Sequence, residues 1–449
     1  MKAPVSRRDF LQTGVAAAGG VLVGKSVALD ARSIATSLLR VPVSDRLRFG
    51  IVGIGMQGSG LLGAALQLGH ECVAAADLYD GRHTLAKEIT GNASLPTVRH
   101  HQDLLARRDL DCVIVAVPDH QHRPVVVDAL NAGKHVYCEK PMSHNVADGL
   151  AIVAAAQRTG RIVQIGSQRV SSALCAKAAE LYKDGAIGDV SMVELSLGRN
   201  SPTGAWQYPP PTDLSPQTLD WDAWLGSAPK IPLNPLHFAR WRCWKEYGTG
   251  VAGDLMVHLI SGMLFTLGWN EAPRSAQSLG GIVRWKDGRN MPDLHAVLFD
   301  YHGVPVYVRL SLGTETPETV RFMGPKGVLE ATGQTLSQSP QDGADHYPSY
   351  YSGGFPSKMR EEYVAQWYQA HPTRPGSEPV DGSTVYHGTE WDDLAPHLWT
   401  FFEAVRTGAP VVEDAVFGNH AAIACHMANE SFFRGVPVHW DAASQSVKG

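Results

Sequence analysis

The chain has 449 residues, of which 44% are hydrophobic and 18% charged, and it carries a formal net charge of −5 at neutral pH. That length holds about two or three domains, and a mildly acidic chain with no basic stripe excludes a nucleic-acid partner. The six cysteines are scattered with no C-x-x-C pair, which excludes a disulfide framework, and no H-E-x-x-H or comparable set of metal ligands is present.

In chain order, Ser6-Arg7-Arg8-Asp9-Phe10-Leu11 comes first and precedes an apolar, Ala/Gly-rich run at 14–24. This order resembles a twin-arginine export signal, which carries folded proteins across a bacterial inner membrane. The run is too short to span a membrane, and Ser26-Val27-Ala28 offers a small-x-small cleavage site. Residues 1–44 are therefore set aside as signal and linker. The expected location is the periplasm, with no membrane span once the signal is removed.

The first stretch that carries chemistry runs from 48 to 77. Phe49 to Val52 reads as a buried parallel strand, followed by Gly53, Gly55 and Gly58 at G-x-G-x-x-G spacing, with Met56 and Gln57 between them. A helical face of Leu61, Leu62, Ala65 and Leu66 ends at Gly69, and a second apolar run ends in Asp77. Gly53 permits a tight turn, Gly55 lets backbone approach a pyrophosphate, and Gly58 lets helix and strand pack closely. The helix N-terminus supplies free N–H groups to the phosphates. Asp77 lies 19 residues after Gly58, where a carboxylate accepts hydrogen bonds from the adenosine ribose and repels a 2′-phosphate. The expected cofactor is NAD rather than NADP; nearby Arg82 is the residue that argues the other way.

Strands at 48–52, 71–76, 112–117, 135–138 and 162–165 alternate with helices that begin near Ser59, Arg82, Gln102, His122 and Asn145. Alternating βα units predict a parallel sheet covered on both faces, a Rossmann domain over 45–166. From 167 to 449 the pattern changes. A helix at 173–183 and a strand at 190–197 precede a Pro- and Trp-rich stretch at 198–247, then a helix at 254–267. Strands are expected at 276–285, 294–301, 304–312, 319–323 and 328–331. Short links between them predict an α+β domain with an open, mostly antiparallel sheet. An aromatic, loop-rich stretch at 332–390 contains a helix near 358–369, and the chain ends with helices at 394–407 and 413–433 and a strand at 436–440.

Three further stretches carry candidate chemistry. Pro118-Asp119-His120-Gln121-His122 follows the third strand of the first domain, where a loop borders the nicotinamide side of a dinucleotide. Asp119 reads equally as a cap for the next helix. Glu139-Lys140-Pro141 ends the fourth strand and points a lysine into the mouth of the site as proton acceptor or relay, its direction fixed by Pro141. Asp254 and His258 are four residues apart and share a helix face, which Gly262 continues with no side chain. A neutral histidine oriented by a carboxylate is a good base for an alcohol proton. Taken singly, an exposed lysine and a satisfied core histidine are the plainer readings.

In this order, G-x-G-x-x-G, an acidic strand end, P-D-x-x-H, E-K-P and G-D-x-x-x-H, the chain resembles the glucose–fructose oxidoreductase / inositol dehydrogenase / rhizopine catabolism (Gfo/Idh/MocA) family by motif from 47 to about 267, and beyond that by architecture. The resemblance implies that Gly53, Gly55 and Gly58 meet the pyrophosphate and Asp77 the adenosine ribose, with Pro118, Asp119 and His122 beside the cofactor. It further implies that Glu139, Lys140 and Pro141 form the cofactor-binding E-K-P, whose lysine meets both nicotinamide ribose and substrate, that Lys140, Asp254 and His258 are catalytic, and that Gln168 and Arg169 line the site. Asp119 departs from the family's usual asparagine. Trp206, Arg240, Trp241 and Arg242 are candidates to line a sugar site, since aromatic faces and arginine forks suit hydroxyl groups, although tryptophans serve equally as core.

The implied activity is hydride transfer between a nicotinamide cofactor and a sugar, sugar derivative or polyol. Export adds an expectation of a tightly held NAD and a redox-neutral cycle. An alternative is an NAD-dependent glycosidase working through a transient keto-sugar; a second is a non-catalytic sugar-binding protein. A homodimer or homotetramer is the expected assembly.

Overall fold

The computed structural model describes residues 25–28, 41–343, 345, 347–371, 382–388 and 393–449. The twin-arginine stretch and the apolar run at 14–24 lie outside the described residues. Residues 25–28 were set aside with the signal, yet they form a strand, β1 (Lys25–Ala28), paired in parallel with Thr384–His387 at the edge of the larger of two sheets. The small-x-small site Ser26-Val27-Ala28 falls on this strand.

The smaller sheet has six parallel strands: β2 (Arg48–Val52), β3 (Glu71–Ala76), β4 (Thr97–Val98), β5 (Cys112–Val115), β6 (His135–Cys138) and β7 (Val163–Ile165), in the order β4-β3-β2-β5-β6-β7. The order reverses at β2, so the crevice for a ligand opens beyond the carboxyl ends of β2 and its neighbours. Both faces are apolar with period two. Phe49 and Ile51 of β2, with Ile114 of β5, pack against Leu61 and Leu62 of the helix Met56–Gln67. Val52, Val113 and Val115 pack on the other side against Val125, Val126 and Ile152. Leu398, Phe401 and Phe402 of the helix Leu394–Thr407 join the first of these cores. The far end of the chain thus returns to seal the Rossmann sheet, each such side chain contributing about 1.5–3 kcal/mol of burial.

The larger sheet has eleven strands. After β1 come β8 (Met192–Gly198), β9 (Ser275–Gly281), β10 (Leu294–Tyr301), β11 (Val304–Ser311), β12 (Thr316–Gly324), β13 (Gly327–Thr332), β14 (Thr335–Pro340), β15 (Thr384–His387), β16 (Val438–Asp441) and β17 (Ser446–Lys448), in the order β1-β15-β14-β13-β12-β8-β11-β10-β9-β16-β17. Pairing is antiparallel except for β8 with β11 and β1 with β15. One face packs on the helices Ala173–Lys183, Val257–Leu267 and Ala415–Arg434. The other is open, with Leu279 75% and Leu298 47% exposed.

Three elements differ from expectation for visible reasons. The strand expected at 276–285 stops at Gly281, because the Asp293 carboxylate accepts from the N–H groups of Val283, Arg284 and Trp285 and curls the chain around itself. The strand β14 escaped detection because Leu336 is its only buried apolar residue; its neighbours, not its own periodicity, make it a strand. The helix expected at 254–267 starts with a π-helical turn, Ala252–Met256, before α-helix resumes at Val257, a distortion found most often at functional sites. Among the described residues no helix is long and apolar enough to cross a membrane.

Candidate active site

The glycine turn has the form a dinucleotide needs. Gly53 has φ +87°, and a Cβ there sits 2.5 Å from the Ala116 carbonyl oxygen; a Cβ on Gly58 sits 2.0 Å from the Gly53 oxygen. No larger residue fits at either position. At Gly55 a Cβ meets nothing within 4 Å, so the backbone is open at the point where a phosphate approaches a helix N-terminus. Met56, next along, is 64% exposed. Asp77 braces this turn. Its Oδ2 accepts from Ile54 N–H at 2.8 Å and its Oδ1 from Tyr79 N–H at 3.0 Å, leaving each oxygen a further lone pair for a ribose hydroxyl. Burial raises its pKa, while these hydrogen bonds and the charge of Arg82 oppose the rise.

The base of the cleft is a hydrogen-bonded cluster from three loops. Glu139 Oε1 accepts from Gln57 Nε2 at 2.9 Å and from Gln168 Nε2 at 3.0 Å, and Gln168 also reaches the Tyr137 hydroxyl. Glu139 is 4% exposed, and burial pushes its pKa up. The glycine turn, the end of β6 and the start of the second domain are thereby joined.

Lys140 and Asp254, 114 residues apart, meet above this floor. Lys140 Nζ donates to Asp254 Oδ1 at 3.1 Å and to its backbone oxygen at 3.0 Å. Arg242 Nε donates to the same Oδ1 at 2.8 Å, and Trp206 Nε1 to Oδ2 at 3.2 Å. Burial pushes the Asp254 carboxyl up, but Arg242 and Lys140 overcome it and hold it well below the usual carboxylate range. Arg242 is itself set by Trp241, whose ring lies 4.2 Å beneath its guanidinium.

His258 stands one turn further on. Burial pushes its pKa well below the ordinary histidine value, Lys140 and Arg169 add to that, and Asp254 pulls weakly the other way. The imidazole is therefore neutral at physiological pH and able to take a proton. It opens on a cleft walled by Arg169, Cys175, Gly262, Thr266, Glu318 and Phe322. The bare Gly262 face leaves this space, as its position after His258 suggested.

Several expectations require correction. Asp254 makes no hydrogen bond to His258, whose buried Nδ1 has no partner among the described residues; the carboxylate fixes Lys140 instead. Asp119 does not cap its helix. It is 3% exposed, and its Oδ2 accepts from Thr249 N–H at 2.9 Å and Thr249 Oγ1 at 2.6 Å. His122 is 1% exposed and wedged between the carbonyls of Pro141 and Val117, where it positions the Lys140 loop. Trp206 is 1% exposed and serves as a donor under Asp254, not as a sugar platform. Arg240 is engaged by the Tyr208 carbonyl and the Gln207 side chain. Of the substrate candidates, Arg169 alone lines the cleft with His258, held by Glu318 at 3.0 Å and Asp393 at 3.4 Å. Glu318, Asp393 and Thr249 were missed, because each acts on a residue more than a hundred positions away and no local pattern marks it.

Two adjoining sequence profiles match this chain. That of the oxidoreductase family with an NAD-binding Rossmann fold covers residues 47–167, and that of the GFO/IDH/MocA C-terminal domain covers 175–330. Together they span well over half of the chain. The chain belongs to the Gfo/Idh/MocA family. Curated relatives within this family include inositol 2-dehydrogenase of Salmonella typhimurium, 37% identical over 150 residues, which are 33% of this chain and 44% of that protein. A glycosyl hydrolase family 109 protein of Shewanella pealeana is 29% identical over 171 residues, 34% of this chain and 38% of that one. The chain thus spans less than half the length of the curated relatives it matches. Crystal structures of the same Gfo/Idh/MocA fold include aldose-aldose oxidoreductase from Caulobacter crescentus in complex with glycerol, with TM-score 0.61 and 20% identity over 88% of this chain and 99% of that one. Another is the WlbA dehydrogenase from Bordetella pertussis in complex with NADH and UDP-GlcNAcA, with TM-score 0.63 and 18% identity over 88% and 99%. At such identities the likeness is one of fold.

Proposed function

We propose that this Gfo/Idh/MocA protein is an NAD-dependent oxidoreductase of a sugar, sugar derivative or polyol. The observation that carries the reading is the meeting of Lys140, from the end of β6, with Asp254, one turn before His258, across the mouth of a glycine turn suited to a dinucleotide. NAD, when bound, supplies the acceptor for a carbinol hydride. Neutral His258 removes the hydroxyl proton. Lys140, its ammonium held by Asp254 Oδ1 and O, donates to the hydroxyl oxygen and steadies it as charge develops. Asp254 keeps its negative charge throughout, because two cations share it. Gln57, Glu139 and Gln168 hold the floor rigid, so that substrate and cofactor meet in one geometry. Asp77 supports NAD over NADP.

The N-terminal Ser6-Arg7-Arg8-Asp9-Phe10-Leu11 supports export to the periplasm, where a free NAD pool is not dependable. A tightly held cofactor and a redox-neutral cycle follow from that. The open apolar face around Leu279 and Leu298 supports a homodimer or homotetramer. A second reading, cleavage of a glycoside through a transient keto-sugar, is favoured by the relative of glycosyl hydrolase family 109. Oxidation next to a C–H bond acidifies it, so that loss of that proton expels the aglycone; water then adds across the new double bond, and the hydride returns to the carbonyl. Incubating the NAD-loaded protein with an aryl glycoside separates the two readings. The oxidoreductase yields a keto-sugar with the aglycone still attached, and stoichiometric aglycone release without net NADH shows the second.

A further inference from the structure

The Trp-rich segment 198–247 runs from one sheet to the other. It leaves the large sheet at β8 and is fixed there, where Arg289 donates to the Ala205 carbonyl at 2.8 Å. It then crosses to the loop after β3. Asp80 N–H donates to the Thr218 oxygen at 2.9 Å and Asp220 N–H to the Leu78 oxygen at 3.1 Å, making Tyr79 and Leu219 an antiparallel pair. The Tyr79 hydroxyl donates to Asp213, and Arg99 donates both to the Asp80 carboxylate and to the Gln217 carbonyl. Further on, the segment reaches the first turn of the helix Asp119–Asn131, which follows the short loop after β5. Gln121 Nε2 donates to the carbonyls of Ala223 and Trp224 at 3.0 and 2.7 Å, and His120 N–H to the Tyr247 carbonyl at 3.2 Å.

β3 and β5 are the two neighbours of β2. A chain tied to the loops that follow both must pass across the end of β2, bridging about 10 Å, or two strand spacings. The glycine turn lies at that end. The crossing chain is aromatic: Trp221 and Trp224 stack at 4.7 Å, Trp224 meets Tyr247 at 4.9 Å, and Phe238 lies edge-on to Tyr79 at 5.8 Å. Tyr79, two residues after Asp77, is 6% exposed.

We propose that this segment is a strap forming the outer wall of the dinucleotide site, closing over the adenosine half with Tyr79 and Asp213 beside Asp77, so that the cofactor exchanges only when the strap lifts. The assignment rests on the NAD reading above and explains retention of the cofactor by geometry alone. It also gives the loop after β3 a role that the glycine motif does not. Because the strap is held mainly by side-chain tethers to two loops, loosening the tethers speeds exchange without touching Lys140, Asp254 or His258.

The experiment is a chase. Protein loaded with NADH is mixed with excess NAD, and loss of tryptophan-to-NADH energy transfer gives the release rate. Asp213→Asn combined with Gln121→Ala is expected to raise that rate at least tenfold. Conversely, Tyr79→Cys with Leu219→Cys places two thiols at a non-hydrogen-bonded antiparallel pair, whose Cα spacing of about 4.5 Å suits a disulfide. The oxidised form should release NADH at least tenfold more slowly than the same protein after reduction. If the cysteine pair fails to fold, the tether variant decides alone. Release rates within twofold of wild type, with NADH binding intact, overturn the strap and leave the cofactor reading standing. Failure of wild type to bind NADH at all overturns both.

Discussion

Asp254→Asn is expected to lower kcat by about 10³ and to destabilise the fold by roughly 3–5 kcal/mol. The carboxylate is the only acid among the described residues that receives Lys140 and Arg242, both on Oδ1, while Oδ2 receives Trp206. An amide of the same shape leaves two cations close together in a largely buried site, with no carboxylate bonded to either side chain. Lys140 then loses the partner that fixes its direction, and the repulsion falls on the cleft in which His258 works. The two losses are separable. Adding Arg242→Met removes the surplus cation and should recover most of the stability, because a buried ion pair exchanged for apolar packing is often nearly neutral. Turnover should stay low, because Lys140 remains unanchored. Urea midpoints and kcat measured on the single and double variants check this. Wild-type turnover in Asp254→Asn contradicts it.

The second large effect is on acid stability. Burial lowers the pKa of His70, His120, His295 and His397 to about 4 and that of His426 to about 3. An unfolded histidine titrates near 6.5, so as pH falls below that value the unfolded chain gains protons that these five refuse, and stability is lost between pH 6.5 and about 4. Asp77, Glu139 and Glu413 act with the opposite sign: burial raises their pKa values, so the folded chain keeps protons that the unfolded chain has released. The lowered histidines, joined by His122 and His258, outnumber the three raised carboxylates, so unfolding takes up protons over this window and stability falls with the pH. Stability should fall by several kcal/mol as the pH drops from 6.5 to 4.5, about 1.4 kcal/mol per pH unit for each proton taken up. Urea titrations at half-unit steps of pH measure it. A midpoint that is flat or rises on acidification contradicts the balance.

The sequence disclosed the parts of the site that are local. Gly53, Gly55 and Gly58 are read from one turn, and Phe49, Ile51 and Ile114 from short apolar runs that burial reproduces. Lys140, Asp254 and His258 are individually ordinary; a resemblance in motif order brought them together, and the fold ties Lys140 to Asp254, one turn before His258. What stayed illegible depends on contacts across the chain. Nothing in Trp206 announces that its indole N–H supports Asp254, and nothing in Asp119 that its carboxylate holds Thr249 rather than a helix end. Phe401 and Phe402 look like the apolar face of any late helix, yet they complete the core of the first domain. A strand such as β14, with one buried apolar side chain, is made by its neighbours. The route of 198–247 past β3 and β5 depends on hydrogen bonds between residues a hundred or more positions apart, which leave no local pattern.

The central claim is that His258 and Lys140 serve one redox site for a sugar or polyol. Its most direct test is to load wild type, His258→Ala and Lys140→Met with NAD, mix each with a panel of sugars and polyols that includes myo-inositol, and follow the absorbance of enzyme-bound reduced nicotinamide. The account predicts that at least one compound reduces the cofactor in wild type and that both variants bind NAD yet reduce it more than a hundredfold more slowly. Reduction at wild-type rate in either variant, or none in wild type with any member of the panel, would contradict it.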